Sequence, residues 1–171
     1  MKKIFIAVDT TDLKKVKKII SQSQTKKIKI GYKFGLEFMN SKDGRNFVSK
    51  LRNKIIFVDL KLNDTVNTML SAVKALKDLR IDYLTVHISS GLTALKAVKK
   101  VSRCKIVGVT TLTSLNNKDL KTIGYNKSVK NLVAHQAKLA KKAGLDALVC
   151  SPHEINIVRK IFKKEIITPG V

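Results

Sequence analysis

The chain has 171 residues, 44% of them hydrophobic and 27% charged, and carries a formal net charge of +23. That length lets one domain bury a core, and no apolar run reaches the roughly 18–20 residues of a membrane span, so no membrane partner is expected. The positive excess is 30 Lys against 5 Arg, whereas nucleic-acid readers favour the bidentate guanidinium, so lysine-rich outer faces are expected rather than a nucleic-acid partner.

In chain order, a first strand is predicted over 3–9 (KIFIAVD). Its apolar run is too short for a signal peptide and is cut by Asp9. An amphipathic helix follows over 12–22, with lysines between apolar residues at helical spacing, then a strand over 27–31 (KIKIG). Further helices are predicted over 43–53, 65–79, 91–101, 128–143 and 153–163. The strands between them are 54–60, 81–87, 104–110, 146–150 and 165–168. These strands are short, β-branched and nearly continuous in apolar character, as expected of parallel strands covered on both faces. Cys104 and Cys150 lie in such runs, so free thiols in a reducing cytoplasm are expected rather than a disulfide.

Seven strands alternating with helices leave a doubly wound sheet or a (β/α)₈ barrel. No G-x-G-x-x-G follows the first strand. Polar residues gather instead at strand C-termini: Asp9, Lys29, Asp59, Lys61, His87, Thr113, Ser114, Ser151 and Thr168. Barrel active sites are built at that rim. The expectation is therefore one TIM-barrel domain over 1–171, with about seven of the eight strands in this chain.

The sharpest motif is FVDLKLNDTVNT at 57–68. Asp59 and Lys61 stand two apart at a strand end and so point to one side with Phe57, against Val58 and Leu60. Charges aimed into a barrel are costly unless they pair. Asp64 on the following loop adds a second carboxylate, and two carboxylates beside one lysine hold it protonated. On the residues alone, a structural ion pair capping the strand remains an open alternative.

This motif resembles that of the orotidine 5′-phosphate decarboxylase family: D-x-K-x-x-D as Asp59, Lys61 and Asp64, followed by Asn67-Thr68. The rest of the chain is similar in order: IAVD ending at Asp9, IKIGY around Lys29, Val-His at His87, VTTLTS at 109–114, VCS at 149–151 and Thr-Pro-Gly at 168–170. The resemblance implies decarboxylation of orotidine 5′-phosphate to UMP without metal or cofactor. It gives Lys29, Asp59, Lys61 and Asp64 as the catalytic network, with Lys61 the proton donor. It also implies a homodimer in which Asp64 and Thr68 reach across the interface. Asp9 and Lys29 would bind the ribose, and Ser114, or Thr113 if the loop register slips, the pyrimidine. Pro169 and Gly170 would open the loop that closes over substrate. Lys33 is expected to be a solvated helix lysine, His87 a hydrogen-bonded structural residue and Cys150 core.

Two departures qualify the resemblance. Thr65-Val66 replaces the usual Ile-Pro. The family's eighth strand and its Gly-Arg phosphate site would fall after Val171, so a truncated product with little activity of its own is expected. Two rival readings follow. One is an Mg²⁺-dependent decarboxylase or synthase acting on 3-keto-gulonate 6-phosphate or hexulose phosphate, for which Glu37 is the candidate extra ligand. The other is a non-catalytic, truncated paralogue.

Overall fold

The computed structural model describes residues 3–170. The strands are β1 (Lys3–Val8), β2 (Lys29–Gly35), β3 (Ile55–Leu62), β4 (Tyr83–His87), β5 (Lys105–Val109), β6 (Ala147–Val149) and β7 (Glu165–Ile167). The helices are α1 (Leu13–Gln22), α2 (Leu36–Asn40), α3 (Gly44–Lys50), α4 (Val66–Ala75), α5 (Gly91–Val101), α6 (Asn117–Thr122), α7 (Val129–Ala143) and α8 (Ile155–Ile161). The strands are hydrogen-bonded in chain order, β1 to β7. Strand–helix alternation with parallel pairing is the (β/α)₈ class that the sequence predicts. The chain gathers into two compact units, one running to Leu60 and including Ala75–Leu84, the other Lys61–Lys74 and Thr85 onward.

In the first unit, β1 pairs with β2 from Lys3↔Lys29 to Val8↔Phe34, and β2 with β3 from Gly31↔Ile55 to Gly35↔Asp59. One sheet face carries an aromatic cluster, with Phe5 5.0 Å from both Phe57 and Tyr83 between ring centroids, edge to face. Such pairs add stability beyond their buried area. The opposite face packs on helices: Tyr32 is buried and its hydroxyl donates to Ile20 O of α1, while Phe34 stacks 4.9 Å from Phe38 of α2. Helix α1 starts at Asp12, whose Oδ1 accepts from Lys14 N and Lys15 N, satisfying donors that a helix start leaves open. Val16 and Ile20 form its buried stripe.

The second strand differs from the expected 27–31 and spans Lys29–Gly35. Gly31 does not close it. A Cβ there would lie 2.6 Å from the Phe5 ring, so this mid-strand glycine makes room for an aromatic of the neighbouring strand.

In the second unit, β5 pairs with β6 and β6 with β7. Helix α7 is capped at both ends: Ser128 Oγ accepts from Asn131 N, and Gly144 closes it with a left-handed φ of 75°. Its buried stripe is Leu132, Val133, Gln136, Ala137 and Ala140. The short α6, which the sequence pattern does not predict, is held by a capping box between Asn116 and Asp119.

Each unit contains the same latch at a strand start. In the first, Asp82 N donates to Ile56 O and Asp82 Oδ2 accepts from Ile56 N, both at 2.8 Å. In the second, Asp146 N donates to Ile106 O at 3.0 Å and Asp146 Oδ2 accepts from Ile106 N at 2.8 Å, with Lys99 Nζ paired to the same carboxylate. An aspartate before β4 or β6 thus fixes the level at which the preceding strand enters the sheet.

Candidate active site

The parallel register brings the C-terminal ends of β1, β2 and β3 side by side in the first unit. Asp9 follows β1 directly, and its Oδ1 lies 3.8 Å from where a Gly35 Cβ would stand. Gly35 is level with Asp59 on β3. Lys33 alternates with Tyr32 and Phe34, which face the helices, and so projects from the other face. Its Nζ donates to Asp59 Oδ2 at 3.2 Å. Asp59 is only 7% exposed, and a carboxylate so far removed from water needs charge-compensating partners.

Lys29 does not join this pair, contrary to expectation. It is the first residue of β2, level with Lys3, exposed, and six positions before the residue level with Asp59. At about 3.3 Å per residue the strand carries it roughly 20 Å away along its axis. Lys33 is likewise a half-buried strand residue and not a solvated helix lysine. The signal was present as two Lys-x-Gly repeats, Lys29-Ile30-Gly31 and Lys33-Phe34-Gly35. Taking Gly31 as the end of the strand selects the wrong one.

The second unit carries the other charged residues. Lys61, near the end of β3, is half-buried and has a left-handed φ of 48°. Its backbone N–H donates to Thr85 Oγ1 on β4 at 2.8 Å. Asp64 is exposed on the loop after β3, where its Oδ1 accepts from Thr65 N at 2.6 Å. Thr68 is exposed in the first turn of α4, its hydroxyl 3.1 Å from that of Thr65. His87 ends β4, and its carbonyl accepts from Ser90 Oγ.

Thr113 and Ser114 lie exposed in the turn after β5. That loop is anchored at its root by Gln136 of α7, whose Oε1 accepts from Thr111 N at 2.8 Å and from Thr111 Oγ1 at 3.1 Å. Gln136 is buried, and the motif had not pointed to it. Pro169 and Gly170 follow β7, exposed, with Gly170 at a φ of 78°. Glu37 lies exposed at the start of α2. Cys150 is buried, and burial pushes its thiol up to about 11.

Known proteins match this arrangement over nearly its whole length. The family model described as orotidine 5′-phosphate decarboxylase / HUMPS family matches residues 2–171. A protein named orotidine 5′-phosphate decarboxylase from Wolbachia sp. subsp. Brugia malayi is 41% identical, over 100% of this chain and 78% of its own length. One of the same name from Prochlorococcus marinus strain MIT 9215 is 38% identical, over 99% of this chain and 74% of its own. Among solved structures, the orotidine 5′-phosphate decarboxylase of Lactobacillus acidophilus superposes with a TM-score of 0.86 at 28% identity, covering 98% of this chain and 80% of that one. By sequence and by fold, the chain belongs to the orotidine 5′-phosphate decarboxylase / HUMPS family.

Proposed function

We propose that this protein removes CO₂ from orotidine 5′-phosphate to give UMP, without metal or organic cofactor. The observation that carries the reading is the Lys33–Asp59 pair on the strand bearing the D-x-K-x-x-D motif, in a chain of this family. Loss of CO₂ from C6 of the pyrimidine leaves a vinyl carbanion with no adjacent electron sink. A fixed ammonium beside C6 both stabilises that charge and supplies the proton. Lys61 takes this role. Lys33 holds the Asp59 carboxylate in place.

The remaining assignments follow from position. Asp9 and Lys33 bind the ribose hydroxyls, Lys33 replacing Lys29 in that role because it stands at the Asp59 end of β2. Ser114 or Thr113 contacts the pyrimidine from the loop that Gln136 anchors. Pro169 and Gly170 begin the closing loop. The exposure of Asp64 and Thr68 supports a homodimer in which each subunit lends them to the other. A reducing cytoplasm suits the two free thiols.

The test is turnover of orotidine 5′-phosphate by the natural polypeptide, followed by the absorbance change to UMP, in EDTA and in added Mg²⁺. Equal turnover in both supports the reading. Turnover only with Mg²⁺, or turnover of 3-keto-gulonate 6-phosphate instead, supports the metal-dependent rival.

A further inference from the structure

We propose that Thr85 is a positioning residue for Lys61, setting the backbone conformation from which the proton donor is presented; the proposal rests on the reading of Lys61 given above. Two non-glycine residues among those described have a positive φ, Asn53 and Lys61. Asn53 lies in a loop, and asparagine tolerates the left-handed region well. Lys61 lies within β3 and has no such tolerance. A left-handed residue in a strand persists where surrounding groups over-determine it, and such strain collects at functional sites.

The over-determining group is visible. Lys61 N–H is satisfied by a side chain, Thr85 Oγ1 at 2.8 Å. Thr85 is 0% exposed and sits between Leu84 and Val86, where packing alone would be served by valine. Its branched Cβ restricts χ1, so the hydroxyl oxygen is a fixed acceptor. A rigid acceptor at that point pins the Lys61 peptide in its left-handed turn, and the direction of the Lys61 side chain follows from that peptide. Without the acceptor, the residue is free to relax toward extended geometry and the ammonium moves off its line to the reacting carbon. Misplacement of about an ångström is enough to cost a large part of a rate.

Two substitutions separate positioning from packing. Thr85→Val keeps the shape and removes the acceptor, whereas Thr85→Ser keeps the acceptor. If Thr85→Val does not fold, Thr85→Ala removes the same oxygen without added bulk. The first readout is independent of catalysis: Lys61 amide exchange and its ¹³Cα and ¹³Cβ shifts by NMR on the full polypeptide. Removing the acceptor is expected to speed Lys61 exchange at least tenfold and move its shifts toward extended values, with Thr85→Ser near wild type. The second is kinetic: kcat falls at least tenfold without the acceptor while KM stays within about threefold, and Thr85→Ser restores it.

Unchanged Lys61 shifts and an unchanged kcat in Thr85→Val would overturn the proposal. So would equal losses in Thr85→Val and Thr85→Ser. A wild-type protein that does not decarboxylate, or a Lys61→Ala variant as active as wild type, would overturn the functional reading instead. The NMR comparison would still report whether Thr85 sets the Lys61 backbone.

Discussion

Exchanging Lys33 and Lys29 in turn for methionine tests the assignment of the Asp59 partner. Methionine keeps the length of the stem and removes the charge. At position 33 it takes away a charge-assisted contact at 3.2 Å from a carboxylate on a residue only 7% exposed. Hydrogen bonds to charged groups are worth about 1.5–3 kcal/mol. The lysine side chain is 27% exposed, so solvent screening puts the expected loss at the lower end, about 1–2 kcal/mol. At position 29 the side chain is exposed at the far end of the strand, and such surface changes stay within about 0.5 kcal/mol. Urea unfolding of wild type and both variants gives the two numbers directly. A Lys33→Met/Asp59→Asn double variant should recover part of the loss, with a coupling of about 0.5–2 kcal/mol. If Lys29→Met costs as much as Lys33→Met, or the double variant shows no coupling, the reasoning from register fails.

Three further expectations concern packing and the loops. Gly31→Ala sets a methyl 2.6 Å from the Phe5 ring, and the displaced ring should cost about 1–3 kcal/mol in urea unfolding. Iodoacetamide at pH 8.5 should label Cys104 well before Cys150, by mass spectrometry of the digested protein, because Cys150 is buried and its thiol is pushed up to about 11. Since burial raises the folded value from the ordinary 9.0, the unfolded chain loses this proton first, so stability falls as pH rises from about 9 toward 11 and is unaffected by Cys150 below that window. Gln136→Met removes the acceptor that ties Thr111 to α7; loss of roughly 1 kcal/mol of loop anchoring should raise KM about fivefold.

The strand–helix alternation was legible in the sequence because parallel strands buried on both faces leave short continuous apolar runs, and amphipathic helices leave a 3.6-residue period. The limits of β2 were not legible. Gly31 reads as punctuation in a linear pattern, and only the Phe5 ring on the neighbouring strand explains why a glycine stands mid-strand. That single boundary moved the expected lysine from position 33 to 29. Helices α2 and α6 escaped prediction because five or six residues give too little periodicity, and their stability comes from aromatic packing and a capping box. Asp59, Lys61 and Asp64 could be singled out because charged residues at a strand end are unusual. Thr85 and Gln136 could not, since a threonine in a strand and a glutamine in a helix are ordinary until a backbone N–H is found bonded to each.

The central claim is that Lys61 delivers the proton to C6. Its most direct test compares turnover of orotidine 5′-phosphate by the natural polypeptide and by Lys61→Ala, in EDTA. The account predicts measurable decarboxylation by the first and a fall of about 10²–10⁴-fold in the second, with stability changed by less than the loss of activity. Turnover by Lys61→Ala within a few-fold of wild type would contradict it.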